Sequence, residues 1–167
     1  MEGRSFDKIQ QRTAFFTGHR EITEPIEEVE RRVTEAAERA VRAGYLYFGA
    51  GGARGFDALA SEAVLKLKER YPQIHLILVL PFDRQYTREK GWTQGEVEQY
   101  ERLKNRASKV VTLAAEYVSG IYYRRNRYLV DHSSLCIAYK LRENSGTGYT
   151  VHRAAEKGLK VVNLATA

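Results

Sequence analysis

Short apolar runs of strand length alternate along the chain with longer stretches in which apolar residues return every three or four positions. The first run, Thr13-Ala14-Phe15-Phe16-Thr17, is β-branched and aromatic and ends at Gly18, which predicts a buried strand. Ile26, Val29, Val33, Ala36, Ala37 and Ala40 then fall on one helical face. Pro25 is placed at the first helical position, Glu27 and Glu28 follow at the positive end of the helix dipole, and Gly44 supplies the stop. Tyr45-Leu46-Tyr47-Phe48 predicts a second strand, opening into Gly49-Ala50-Gly51-Gly52. Phe56, Leu59, Ala60, Ala63, Val64 and Leu67 make a second helical stripe, ended near Pro72. Residues 74–80 are nearly all apolar, as in a parallel strand covered on both faces. Residues 83–94 are polar and long enough to form an active-site loop. Val97, Tyr100, Leu103 and Ala107 predict a third helix and residues 110–113 a fourth strand. A helix over 121–131, a strand over 135–139, a helix over 147–157 and a strand over 161–164 complete the chain.

Strict alternation of strand and helix implies an α/β fold, with a mainly parallel sheet of about six strands, right-handed crossovers and helices on both faces. The 167 residues suit a single domain, expected over 13–167 after a loose polar arm over 1–12. In such sheets ligands bind beyond the carboxyl ends of the strands, near the point where strand order reverses. That rule selects Gly18-His19-Arg20, residues 49–54, Pro81-Phe82-Asp83 and residues 143–147.

Composition narrows the classes further. Lys and Arg number 27 against 21 Asp and Glu, a formal charge of +6 that permits an anionic partner without naming one. Cys136 is the only cysteine, which excludes an intramolecular disulfide and a Cys-based metal site. The four histidines show no metal-ligand spacing, so no metal is expected. No apolar run approaches the ~20 residues of a membrane span, and the polar N-terminus lacks the apolar core of a signal peptide. A soluble, cytoplasmic protein with no membrane partner is the expectation.

The chemistry concentrates after the strands. Gly49-Ala50-Gly51-Gly52-Ala53-Arg54-Gly55-Phe56-Asp57 joins a strand to a strongly patterned helix. Glycines let a ligand approach the backbone, the following helix start offers free N–H groups, and Arg54 adds a charge, so Gly51, Gly52 and Arg54 are expected to cradle a phosphate. The spacing is neither a full G-x-G-x-x-G nor a P-loop, and a tight turn that binds nothing is the structural alternative. Asp57 is assigned to stabilising this turn. Thr17, Gly18, His19 and Arg20 end the central first strand and should line the pocket, although an isolated histidine is more simply a loop residue bonded to backbone. Ser145-Gly146-Thr147 is a second small-residue helix start, so Gly146 and Thr147 are expected to help hold phosphate. Arg124-Arg125-Asn126-Arg127, flanked by Tyr122, Tyr123 and Tyr128, is basic and aromatic, as in nucleotide or nucleic-acid sites; a solvated helix face is the alternative. Phe82 and Trp92 are candidates to stack on a base, or simply core. Asp57, Asp83, Glu89, Glu116 and Asp131 are available carboxylates with no evident pairing, and Cys136 reads as a core strand residue.

In order, Phe16-Thr17-Gly18-His19-Arg20, residues 51–57, Pro81-Phe82 with Gln85 and Trp92, Arg125-Asn126 and Ser145-Gly146-Thr147 resemble the YpsA-like branch of the SLOG superfamily over about residues 13–164. The resemblance implies a modified, Rossmann-like fold with a pocket for a nucleotide-derived, phosphate-bearing ligand, such as an ADP-ribose-like one, which it would bind or sense. It places Arg125 and Asn126 on phosphate or sugar. The superfamily includes the DNA-processing protein DprA and cytokinin-activating phosphoribohydrolases, so hydrolysis of nucleoside monophosphates and DprA-like binding of single-stranded nucleic acid are the alternatives. The hydrolase branch carries a catalytic Glu where this chain has Thr150, and a lysine where it has Asn126; whether the chain is an enzyme is left open, and no catalytic residue is assigned. Dispersed Lys and Arg, diluted by helical Glu residues, weigh against nucleic acid. The expected partners are a small nucleotide-like ligand and, by the superfamily's habit of self-association, a second copy. No cofactor is identified beyond that ligand.

Overall fold

Phe15 and Phe16 point to opposite faces of one strand, and both faces are covered. The computed structural model describes residues 7–166. Strands β1 (Thr13–Gly18), β2 (Tyr47–Ala50), β3 (His75–Phe82), β4 (Lys109–Ala114), β5 (Leu135–Tyr139) and β6 (Lys160–Asn163) are joined by parallel ladders in the order β4-β3-β2-β1-β5-β6. Helices α1 (Ile26–Arg42), α2 (Phe56–Lys68) and α3 (Gln94–Arg106) share a core with Ala14, Phe16, Phe48, Leu76 and Ile137. Helices α4 (Ile121–Asp131) and α5 (Gly146–Glu156) contribute Leu129, Val130 and Ala154 to a second core with Phe15, Cys136 and Ala138. Adjacent residues on β1 and β5 divide between the two cores because side chains alternate along a strand. This is the Rossmann-like α/β architecture expected from the sequence.

The second strand is Tyr47–Ala50 rather than 45–48. Tyr45 and Leu46 are taken by other partners: the Tyr45 N–H donates to the Ala40 carbonyl as α1 ends, and the Leu46 N–H donates to the Arg12 carbonyl. Gly49 is consequently a strand residue paired with Phe15 and Ile77, and its bare Cα lets the Leu129 side chain come close. The third strand runs two residues past 80, because Phe82 pairs with Ala114. Pro25 precedes α1 as its cap rather than forming its first residue. Of the polar arm, residues 1–6 lie outside the described residues. Gln10–Arg12 forms a 3₁₀ turn, and the buried Gln10 side chain donates to the carbonyls of Asp131 and Ser133.

Among the described residues no helix is long and apolar enough to cross a membrane, and no group of three or more His, Cys, Asp or Glu is placed to hold a metal ion.

Candidate functional site

The chain leaves β1, builds β2, β3 and β4 to one side, and returns to place β5 on the other side of β1. The loops after β1 and β5 therefore diverge and leave a crevice, as expected at a topological switch point. A cavity of about 360 Å³ occupies it, walled by residues 16–21, by Ala53 and Asp57 at the start of α2, by α4, and by Arg142 and residues 145–147.

Close backbone approach shapes this wall. A Cβ on Gly18 would lie 2.4 Å from the Phe56 ring, and one on Gly55, which has φ of 82°, would lie 2.2 Å from the Arg20 carbonyl oxygen. The loop after β1 thus lies against the start of α2, where the Phe56 N–H donates to the His19 carbonyl at 3.2 Å. His19 is buried and spans the crevice: its Nε2 accepts the Leu141 N–H at 2.8 Å. That bond assigns the ring proton to Nδ1. Burial, and then the positive charge of Arg142, lower the His19 pKa, so the imidazole is neutral at pH 7. The histidine is the backbone-bonded loop residue that composition favoured, and it also lines the cavity.

Arg125 is drawn into the wall by Gly51. Only 6% of it is exposed; its Nη1 donates to the Gly51 carbonyl and its Nε to Asn126 Oδ1 at 2.8 Å. Gly51 has no side chain to obstruct this: a Cβ there would sit 2.6 Å from Arg125 Nη1. Asp57 lies 7% exposed in the first turn of α2. Burial pushes its carboxyl up to about 6, against the opposing pull of Arg125, the Ala53 and Gly51 N–H groups and Arg20. These backbone N–H groups approach the carboxylate, yet among the described residues Oδ1 is buried with no hydrogen-bond partner. Desolvation lowers the Arg125 pKa while Asp57 raises it, and a guanidinium stays charged at any physiological pH.

At the start of α5 the Ser145 hydroxyl accepts the Gly148 N–H at 2.9 Å and donates to the Arg142 carbonyl at 2.9 Å. Among the described residues the Gly146 and Thr147 N–H groups have no partner, and both residues line the cavity. They form the positive end of an eleven-residue helix, suited to an anion.

Eight of the expected residues meet here: Thr17, Gly18, His19, Arg20, Arg125, Asn126, Gly146 and Thr147. Five lie elsewhere. Gly51 serves from behind through its carbonyl. Gly52, with φ of 78°, turns the loop away, and Arg54 ion-pairs with Glu21 and with Glu96 at 3.8 Å, in a separate crevice beside Trp92. Trp92 packs edge-on against Tyr100 and donates to Glu89 at 2.9 Å. Phe82, 3% exposed, packs edge-on against Tyr117 and Tyr122.

Sequence reasoning missed Arg142 and Tyr122 as wall residues, and the role of Glu89. Arg142 follows β5 just before the α5 cap, a position the crevice rule covers. The Glu89 side chain, 7% exposed, accepts from Arg20 Nη2 at 3.2 Å and from Trp92 at 2.9 Å, and it interacts with Tyr122. Burial and Glu89 together raise the Tyr122 pKa. The polar segment 83–94 is thereby tied to the rim through two cavity-lining residues.

The sequence model of the YspA SLOG family matches residues 15–163. The SPbeta prophage-derived protein YoqJ of Bacillus subtilis strain 168 is 30% identical over 112 residues, covering 60% of this chain and 64% of YoqJ. The UPF0398 protein YpsA of the same strain is 29% identical over 108 residues, covering 64% of this chain and 58% of YpsA. The chain thus spans about three fifths of the length of these curated relatives. Among solved structures, DNA processing protein A from Streptococcus pneumoniae superposes with a TM-score of 0.63 at 16% identity, covering 92% of this chain and 50% of that one. DNA processing protein A from Helicobacter pylori, described with its single-stranded DNA binding mode, gives 0.62 at 17% identity over 93% of this chain and 67% of its own. At these identities the likeness is one of fold.

Proposed function

The chain belongs to the YspA SLOG family, and on that footing we propose that its crevice binds, as a sensor would, a nucleotide-derived small ligand that bears a phosphate. The observation that carries this reading is the convergence of two unpartnered helix N–H groups, at Gly146 and Thr147, with Arg20, Arg125 and Arg142 around one cavity. Oriented N–H dipoles and guanidinium groups both favour an anion, and phosphate geometry suits both. A volume of about 360 Å³ lies near the lower end of the roughly 300–1,000 Å³ usual for small-molecule sites, which suits one phosphorylated nucleoside moiety at a time. With Phe82 buried and Trp92 half-buried in other contacts, Tyr122 is the tyrosine ring that lines the cavity for a base.

Binding without turnover is favoured over hydrolysis by Thr150. It is 1% exposed, and its hydroxyl donates to the Gly146 carbonyl at 2.9 Å, so no carboxylate stands at that point of α5. Native mass spectrometry of the protein purified from its host, followed by calorimetric titration with AMP and ADP-ribose, tests the reading. The expected result is one retained or titratable nucleotide, lost in Arg125→Ala. The proposal fails if a broad nucleotide panel gives no binding. A single-strand gel shift that weakens steeply with salt would favour nucleic acid instead.

A further inference from the structure

Asp57 is out of keeping with a site built only for an anion. A carboxylate repels phosphate, yet this one lines the cavity, nine-tenths buried, among three arginines. Capping the glycine turn does not account for it fully. The Gly51 and Ala53 N–H groups and Arg125 engage it from the loop and from α4, while among the described residues Oδ1 has no partner. Leaving a buried acceptor unpaired is costly, so a site that keeps one is arranged for a donor that arrives from outside the chain. Phosphate is not that donor, because an ester held by N–H and guanidinium groups is fully ionised and its oxygens then only accept. The groups suited to phosphate are the Gly146 and Thr147 N–H groups on α5, whereas Asp57 belongs to α2 on the other side of the sheet. The ligand must therefore carry an uncharged donor at a short distance from its phosphate, and a sugar hydroxyl meets that description.

We propose that Asp57 is a specificity-determining residue whose Oδ1 accepts a hydrogen bond from a ribose hydroxyl of the ligand, so that the site selects ribonucleotides over their deoxy counterparts. The proposal rests on the phosphate reading above. Arg125 and Asn126 then lie between the two subsites, with Arg125 held by Gly51 and Asn126 so that it neutralises Asp57 without closing over it. A hydroxyl bonded to a charged acceptor in a dry wall discriminates strongly against an analogue that lacks it, because the acceptor is then left bare.

The test is calorimetric titration of AMP, 2′-deoxy-AMP, 3′-deoxy-AMP and adenosine into the wild type and Asp57→Ala. AMP is expected to bind roughly 10- to 100-fold more tightly than at least one deoxy analogue. In Asp57→Ala that ratio should fall at least fivefold, while the preference for AMP over adenosine persists. Asp57→Leu, of similar size and with no acceptor, replaces it should the alanine variant not fold. A purely structural role would lower stability without changing the ratio. Equal binding of AMP and both deoxy analogues by the wild type overturns the proposal and leaves the phosphate reading standing, as does a ratio unaltered in the variants. Failure of AMP to bind better than adenosine overturns the phosphate reading and this one together.

Discussion

Asp57 makes stability depend on pH in an unusual direction, and Asp57→Asn isolates the effect. Most native carboxylates are easier to ionise than in the unfolded chain. Burial does the opposite here, raising the Asp57 carboxyl from an ordinary 3.8 to about 6. Between those values the folded chain holds the proton and the unfolded chain has lost it, so stability falls as pH rises and levels off above about 6. The full displacement is worth about 3 kcal/mol, of which about 2 kcal/mol falls between pH 4.5 and 7.5. The groups facing the carboxylate are Arg125 on α4, Arg20 after β1, and the Gly51 and Ala53 N–H groups. None of them titrates in that window. Losing the charge opposite Arg125 therefore shifts the variant by a constant, and all other carboxylates cancel in the difference between the two proteins. Urea unfolding of both proteins at half-unit steps from pH 4.5 to 7.5 should show the variant gaining about 2 kcal/mol on the wild type across the range. A difference that stays flat within about 0.5 kcal/mol, or runs the other way, would refute the account of Asp57 as a desolvated carboxylate.

Removing Arg125 exposes the same pairing from the other side: Arg125→Ala should cost about 3 kcal/mol at pH 7 in urea unfolding, since the buried Asp57 loses its counter-charge. On α5, Gly148→Ala should cost more than about 2 kcal/mol, because its Cβ would lie 1.9 Å from the Glu143 carbonyl oxygen. Gly146→Ala, with nothing within 4 Å of its Cβ, should stay within about 0.5 kcal/mol of wild type, and thermal melts distinguish the two. Cys136, fully buried with its thiol pushed up to about 12, should be inert to an aromatic disulfide reagent at pH 8 in the native protein and react once urea unfolds it.

What could be read in the sequence follows from the range of the forces involved. Strands and helices are local: the alternation of Ala14, Phe15 and Phe16, and the stripe from Val29 to Ala40, needed only neighbours in sequence, and the order of elements then implied the parallel sheet. The sequence reading names His19, Arg125 and Gly146 in three separate segments, and the fold places all three on one cavity. The same reading fails for Arg54, whose direction depends on the positive φ of Gly52 and on Glu21 and Glu96, acids that come near only in the folded chain. Phe82, offered as a stacking ring or as core, lies in the core, because the end of a strand depends on how far its neighbour runs, here to Ala114. Asp57 is assigned from sequence to stabilising its own glycine turn; the charge facing it, Arg125, comes from α4, more than sixty positions later.

The bond between His19 and Leu141 joins residues 122 positions apart. On a ribosome the first strand and three of its successors emerge with one side of β1 still bare, since β5 follows β4 in the chain. The crevice acquires its second wall only when the segment through residue 147 has been made and docked. Contacts of such long sequence separation form late and slowly. While the first four strands are being made, His19 and the start of α2 therefore face an open side rather than a cavity.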